Sequence, residues 1–521
     1  MQKLLSWLDK NILVILAGFF LVFIPLYPKW PMFDILPGYN VRVRLEDFLI
    51  LFTNFILLIQ VLRRKINLTK APLFKPILIY ISIGLLSTLS AIFITKTIFP
   101  EYLQLAKVFL HWFRRIEYFS LFFIFFFAFN PKKHLKPFLA LISLAVLGVS
   151  IYGFGQKYLY WPAYSTMNRE FSKGVALYLT EHARVLSTFG GHFDLAAYIM
   201  LTLIPITIIG FLHPKKLVRL FCLLLGLTEY WIMILSASRT SWLAFIGGVS
   251  LAFIVLFKKK KFFWVLSRWM SVIVLSTLIM VSFGELSERF SHILKLDGVK
   301  EIVLKPFRSP PSNGLAMRTD MTLEEQLSIV ATNSDIPPST VSPRKIKPDD
   351  VYDNTYENLQ AYLATTSGEV INVDYSDNAL KYGLSAGIRL DVLWPNAIKA
   401  LKINPFFGTG YSTLVKANVW EFTTAESTDN DYLRLLGETG FLGFISFLAI
   451  LFITLKLTLK AFLITKDPIH IAIYAGAIGL TLGLMANAFY IDVFEASKVA
   501  YSFWSFIGIV LSLAVYETQK T

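Results

Sequence analysis

One cysteine, Cys222, stands in 521 residues, and charged residues make up only 16% of the chain. A single cysteine excludes an intrachain disulfide and a site built from several Cys ligands. A soluble chain of this length carries about a quarter charged residues and splits into several domains, so the shortage of charge excludes a soluble enzyme. What is abundant is apolar: 55% of residues are hydrophobic, with 46 Phe, 23 Tyr and 11 Trp. Between Asn11 and Glu517, apolar runs of about 17–23 residues recur, each long enough to cross a hydrocarbon core of roughly 30 Å as a helix.

The net charge of +15 is not spread evenly. Residues 284–440 hold 15 basic and 21 acidic residues, and the rest of the chain holds 35 basic and 14 acidic. That split speaks for basic loops on one side of a membrane and an acidic insert on the other, and against a nucleic-acid partner. The hydropathy pattern predicts an all-α integral membrane protein with twelve spans at 11–28, 47–62, 74–95, 102–129, 137–154, 193–212, 217–235, 240–257, 264–283, 441–459, 469–489 and 498–516. The first span follows Lys3 and Lys10 with no small-residue cleavage site before Pro28, so it reads as an uncleaved, inserting helix. With the N-terminus in the cytoplasm, Arg63-Arg64-Lys65, Lys132-Lys133, Lys215-Lys216, Lys258–Lys261 and Lys456/Lys460/Lys466 all lie inside. Both termini are then cytoplasmic and 284–440 is extracytoplasmic, dividing the chain into 1–283, 284–440 and 441–521. The span at 102–129 stands out for its length and for the charges in its first half.

Within the insert, Ser309–Gly314 and Ile336–Ser339 are turn-rich breaks. A capped helix is expected over 322–331 and a second over 386–402, with Ile388, Val392, Leu393, Ala397, Ile398 and Leu401 on one face. The insert therefore reads as a mainly helical cap.

Burying a charge in lipid costs about 2.5–3.5 kcal/mol on insertion scales, so charges at span ends need a reason. Arg184 lies in His182-Ala183-Arg184-Val185-Leu186-Ser187-Thr188-Phe189-Gly190-Gly191-His192, just before a span. Arg239 lies in Ser236-Ala237-Ser238-Arg239-Thr240-Ser241-Trp242, between two spans. Arg389 opens the helix that leads to Asn404-Pro405-Phe406-Phe407-Gly408-Thr409-Gly410. A segment running Asp429-Asn430-Asp431-Tyr432-Leu433 through Glu438-Thr439-Gly440 enters the tenth span. Lys107, His111, Arg114 and Arg115 form a cationic stripe at the external end of the fourth span, facing lipid head groups or an anionic ligand.

In this order and within this span pattern, the segments over roughly residues 180–460 resemble the O-antigen ligase and polymerase superfamily. Arg184 to Ala197 matches that family's Arg followed by a Gly-Thr-Phe-like turn. Ser238-Arg239 to Trp242 matches its Ser-Arg pair, and Asn404 to Gly410 its Asn/His-Pro-x-x-Gly-x-Gly turn. Asn430, Leu433, Glu438, Gly440 and Gly443 match its closing His-Asn-x-x-Leu and Glu-x-Gly-x-x-Gly pattern, but Asp429 stands where the family has His. Residues 300–380 match no pattern.

The resemblance implies a C-type glycosyltransferase-like fold in the cytoplasmic membrane. It also implies transfer of an undecaprenyl-diphosphate-linked glycan to a glycan, lipid or protein acceptor at the outer face, with polymerisation slightly favoured over ligation. Arginine suits such a donor, because its rigid fork grips phosphate oxygens bidentately and stays charged. Arg184 and Arg239 are the expected catalytic cations and Asp429 the expected base, with Asp431 and Glu426 as nearby carboxylates. Arg389, Asn430, His192, Lys107, Arg114 and Arg115 are expected to bind substrate. No metal or other cofactor is expected, since arginines replace the divalent cation and no Asp-x-Asp or His cluster with ligand spacing is placed to bind one.

Plainer readings stand beside these. Arg239 and Arg184 also suit interfacial anchors, Arg389 suits an ion pair with Asp391 or Glu421, and Asp429 or Asn430 suits a helix cap. His192 suits a polar helix start. For the whole chain, the alternatives are a lipid-linked glycan flippase or secondary transporter, and an inactive sensor. A transporter would gather its charges near the midplane on interrupted helices in related halves, whereas these gather at the external ends.

Overall fold

The computed structural model describes residues 2–34, 42–167, 171–180, 183–282, 376–414 and 427–520. The chain divides into two units, Met1–Phe290 with Val392–Thr521, and Ser291–Asp391. The expected helix at 322–331 lies outside the described residues. In the smaller unit the described elements are two short helices, Asp377–Tyr382 and Leu384–Ile388, the first capped by the Ser376 hydroxyl, which accepts from the Ala379 amide at 3.1 Å.

The larger unit is helical. Its first nine helices are α1 (Gln2–Leu26), α2 (Leu45–Leu62), α3 (Phe74–Phe93), α4 (Tyr102–Ala128), α5 (Pro131–Tyr158), α6 (His192–Leu212), α7 (Lys216–Ser236), α8 (Arg239–Leu256) and α9 (Phe262–Ser282). After the insert come the short α10 (Trp394–Ile403) and then α11 (Asp431–Ile464), α12 (Pro468–Asn487) and α13 (Ser497–Lys520). A two-residue hairpin, Phe33–Asp34 against Arg42–Val43, joins α1 to α2.

Eleven of the described helices are long and apolar enough to cross a membrane, which makes this a polytopic all-α membrane protein. The expected span at 102–129 is the exception. Helix α4 has the length, but Lys107, Arg114, Arg115 and Glu117 keep it from being uniformly apolar. It packs on α1, α2, α3 and α13, and its second half from Tyr118 to Phe126 is almost wholly buried.

Local sequence fixes the helix starts. Asn130 and Asp467 cap α5 and α12 ahead of Pro131 and Pro468, whose missing N–H costs nothing at a first turn. The Asp47 carboxylate reaches back to the Arg44 amide at 2.9 Å at the start of α2. The expected tenth span begins ten residues earlier than read, at Asp431, because Asn430 caps it. That helix then breaks at Gly440, which has φ 66°.

Helices α6, α8 and α12 form the tightest packing in the unit. Gly248 and Gly479 face each other so closely that a Cβ on either would stand 2.6 Å from the other's carbonyl oxygen. Small residues let helix backbones approach in lipid, where dispersion rather than water exclusion drives association. The contact sets the N-terminus of α8 beside the C-terminus of α12.

The two ends of the bundle differ. Arg63 pairs with Asp9 at 2.6 Å, Lys259 donates to the Leu463 and Thr465 carbonyls, and His470 meets Glu517 at 2.5 Å, so the basic turns gather at one end. The motif turns before α6, α8 and α11 all lie at the other.

Candidate functional site at the motif end of the bundle

The turn that carries Arg239 is pinned by its neighbours. Ala237 adopts the left-handed conformation at φ 52°, ending α7, and Ser238 is extended and caps α8. The Ser238 hydroxyl donates to Ser241 Oγ at 3.0 Å, and Ser241 Oγ also accepts from Asn487 Nδ2 of α12 at 3.1 Å. Trp242 donates its indole N–H to the Tyr230 hydroxyl and to Ser276 Oγ, tying α8 to α7 and α9. On the motif's side these bonds are made by Ser238, Ser241 and Trp242. Arg239 itself is half-buried, and its guanidinium makes no hydrogen bond or ion pair with any described residue.

Arg184 sits on the loop that leads into α6. The Val185 amide bonds the Leu235 carbonyl at 3.0 Å, which holds this loop against the last turn of α7, one turn before Arg239. Ser187 and Gln156 exchange two hydrogen bonds, Ser187 N–H to Oε1 at 2.7 Å and Nε2 to the Ser187 carbonyl at 2.9 Å. Gly190 has no room for a side chain, since a Cβ would lie 2.2 Å from Thr166 Oγ1. The Arg184 guanidinium lies 3.0 Å from His192 Nε2, and a guanidinium can only donate, so the imidazole nitrogen accepts. His182 lies outside the described residues.

Asp429 and Asn430 divide the roles that the sequence left open. Asn430 is the cap of α11, its Oδ1 accepting from the Tyr432 and Leu433 amides at 3.0 Å each while its Nδ2 donates to the Phe489 carbonyl at 2.9 Å. Asp429, left-handed at φ 49° and half-buried, accepts from the Ser427 hydroxyl at 2.6 Å. Asp431 is buried, with Oδ2 accepting the Phe494 amide at 3.0 Å. The Asp431 amide bonds the Ala488 carbonyl at 3.0 Å, one residue beyond the asparagine that holds Ser241. Through Asn487 and Ala488, the Arg239 and Asp429 turns share one support.

Beneath them runs a buried charge network that sequence reasoning missed in part. Asp492, in the α12–α13 turn, accepts from the Asn430 amide at 2.8 Å, Ser427 Oγ at 2.9 Å and Arg434 at 3.1 Å. Arg434 also pairs with Glu438 at 3.3 Å. Arg115 meets Glu495 at 2.5 Å and Glu438 at 3.7 Å, and stacks on Tyr411 at 4.9 Å. Burial pushes the Tyr411 hydroxyl pKa well above its usual value. Arg114 is held by Asp47 at 2.7 Å, Glu117 at 2.8 Å and the Tyr501 hydroxyl at 2.7 Å. The expected cationic stripe on α4 is therefore largely neutralised from within. The signal for its partners was Asp492-Val493-Phe494-Glu495, two carboxylates in a short turn between apolar spans.

A second missed cluster joins α1, α2 and α13. Lys29 lies 3.9 Å and Arg44 3.6 Å from Glu46, Lys29 also bonds Ser497 Oγ, and Lys498 donates to the Thr188 carbonyl at 2.8 Å. Lys29 is 6% exposed. Its burial and the neighbouring Arg44 guanidinium lower its pKa to about 8, against the opposing pull of Glu46. Lys107 is half-buried on α4. Arg389, in the smaller unit, donates to the Ser385 carbonyl and hydroxyl at 2.6 Å each, while Asp391 accepts from Ser376 and Asn378.

The fold and this end of the bundle define a polytopic helical membrane protein with polar turns braced by a buried ion network. Residues 352–448 match the family model described as O-antigen ligase. That match supports a relationship to the O-antigen ligase and polymerase superfamily over this part of the chain. The matched residues include Arg389, Asn404–Gly410 and Asp429–Gly443, whereas Arg184 and Arg239 lie outside them. No curated protein matches the chain.

Proposed function

We propose that the protein is an inverting, metal-independent glycosyltransferase that moves a glycan from undecaprenyl diphosphate to a sugar hydroxyl at the outer face of the cytoplasmic membrane, polymerisation being slightly favoured over ligation. The observation that carries this reading is Arg239. The arginines on α4 and α11 already face carboxylates, but Arg239 is half-buried with no counter-ion among the described residues, on a turn fixed by Ser241 and Asn487. A guanidinium carried on a pinned turn in a partly dry setting, with no counter-ion among the described residues, favours a bound dianion and the charge that grows on it as its ester bond breaks.

In this reading Arg239 and Arg184 hold the diphosphate. The acceptor oxygen attacks the anomeric carbon, the C–O bond to the diphosphate breaks, and Asp429 takes the hydroxyl proton. One displacement inverts the anomeric centre, and the arginines supply the charge a metal would otherwise bring.

The test is purified protein in liposomes with a labelled undecaprenyl-diphosphate oligosaccharide, scoring transfer and released lipid diphosphate. Arg239→Ala should lower transfer by about 10²–10³, the usual effect of removing one group that stabilises transition-state charge. Wild-type protein that forms no product would remove support for an enzyme. Label that crosses the bilayer unmodified would establish a transporter instead.

A further inference from the structure

At the opposite end of the bundle, the ends of α6 to α9 enclose a cavity of about 280 Å³ lined by Gly210, Phe211, Leu212, Arg219, Lys260, Trp264 and Arg268. Three of the seven lining residues are cationic and none is acidic. The surrounding sequence is equally one-sided, for between Leu195 and Gly284 the only acidic residue is Glu229, which is buried in α7. Lys260 and Arg268 approach the same indole, at 5.9 and 4.9 Å from the Trp264 ring centroid, so an aromatic plate sets both charges at the mouth. Arg219 is fixed by its Nε donating to the His213 carbonyl at 2.5 Å, which leaves the outer guanidinium nitrogens as donors toward the cavity.

Basic loops as such only orient helices. A basic concavity between helix ends is a different object, because it concentrates fixed donors on one volume. Its flanks are apolar and exposed: Leu217 is 78%, Leu220 52% and Phe263 81% exposed. A ligand that satisfies both features carries a compact anion on apolar chains. We propose that this cavity binds the phosphodiester head group of an anionic glycerophospholipid, with the acyl chains lying along the outer faces of α7 and α9. The site is separate from the motif turns and does not depend on the proposed reaction.

The experiment is native mass spectrometry of detergent-solubilised protein after exchange into mixed micelles of phosphatidylglycerol and phosphatidylcholine. Wild type should retain one phosphatidylglycerol in preference to phosphatidylcholine, and millimolar inorganic phosphate should not displace it. Arg219→Ala/Lys260→Ala/Arg268→Ala should reduce retention on the order of 100-fold, at about fivefold per cation. Because Arg219 is exposed, the single variant Arg219→Glu gives the same reading without disturbing the packed positions, and should lower retention at least about tenfold. Lys215→Ala/Lys216→Ala/Lys258→Ala removes the same charge outside the cavity and should leave retention unchanged. Equal loss in that control would reduce the effect to general surface charge and overturn the site, and displacement by phosphate would overturn the lipid as its ligand.

Discussion

Asn487 on α12 donates a hydrogen bond to Ser241 on α8 across 3.1 Å, and this single bond ties the arginine turn to the helix end that carries the Asp429 turn. Asn487→Leu removes the bond together with a buried Oδ1 that has no hydrogen-bond partner among the described residues, so stability should change little. Glycan transfer should fall by roughly 10- to 100-fold, because a misplacement of about 1 Å is enough to do so. In an Arg239→Ala background the same change should cost less than about twofold, since the asparagine acts through the arginine. Fully additive losses in that cycle would sink the positioning role.

Arg115 and Glu495 form a buried ion pair whose partners are far apart in sequence. Glu495→Ala should destabilise the protein by about 3–5 kcal/mol, because it leaves a desolvated guanidinium with only Glu438 nearby. Arg115→Met/Glu495→Met should recover most of that loss, Arg434 still facing Glu438. Thermal loss of monodisperse protein in detergent reads both, and a double variant as weak as the single one would count against the ion-pair account.

Asp429 and its neighbour should separate chemistry from folding. Asn430→Ala deletes a cap that satisfies two amides and should cost about 1–2 kcal/mol of stability. Asp429→Asn should leave stability within about 0.5 kcal/mol. Its effect should fall on transfer, which drops by about 10²–10⁴ if a base is lost. Equal stability losses for the two substitutions would make Asp429 structural.

Lys29 predicts a pH signature. Its pKa is lowered to about 8 in the folded protein, below the 10.5 of the unfolded chain, so between those values the unfolded chain binds more protons. Stability should therefore rise with pH from about 8 to 10.5. Lys29→Met should remove this increment, and thermal melts of both proteins across the window measure it. Parallel pH profiles for wild type and variant would contradict the burial of Lys29.

Much of the fold was legible, because spans are written in runs of apolar residues and helix starts in Asn, Asp, Ser and Pro. The motif turns were legible too, since Ser238, Asn404 and Asn430 announce their local geometry. The charge network was not. Arg115 read as part of a free stripe because its carboxylates, Glu438 and Glu495, lie several hundred residues away and no local pattern reports them, while Arg114 takes Asp47 from α2 beside its own neighbour Glu117. Helix α11 was read too short for a related reason: Arg434 and Glu438 made its first turns look like loop, when Asp492 and Arg115 neutralise them inside the fold.

The break at Gly440 has one more consequence. Gly408 and Gly440 are both left-handed, and a Cβ on either would strike backbone, Glu438 at 2.5 Å and Phe406 at 2.4 Å respectively. The two stretches clasp through Phe441 N–H to the Pro405 carbonyl, Thr409 N–H to Gly437 and Gly410 N–H to Glu438. Residues 405–410 are thereby stapled to residues 437–441, and the clasp holds the helix turn that carries Arg434 and Glu438. Neither glycine can be exchanged on its own, because a side chain at either position would open the clasp that the other completes.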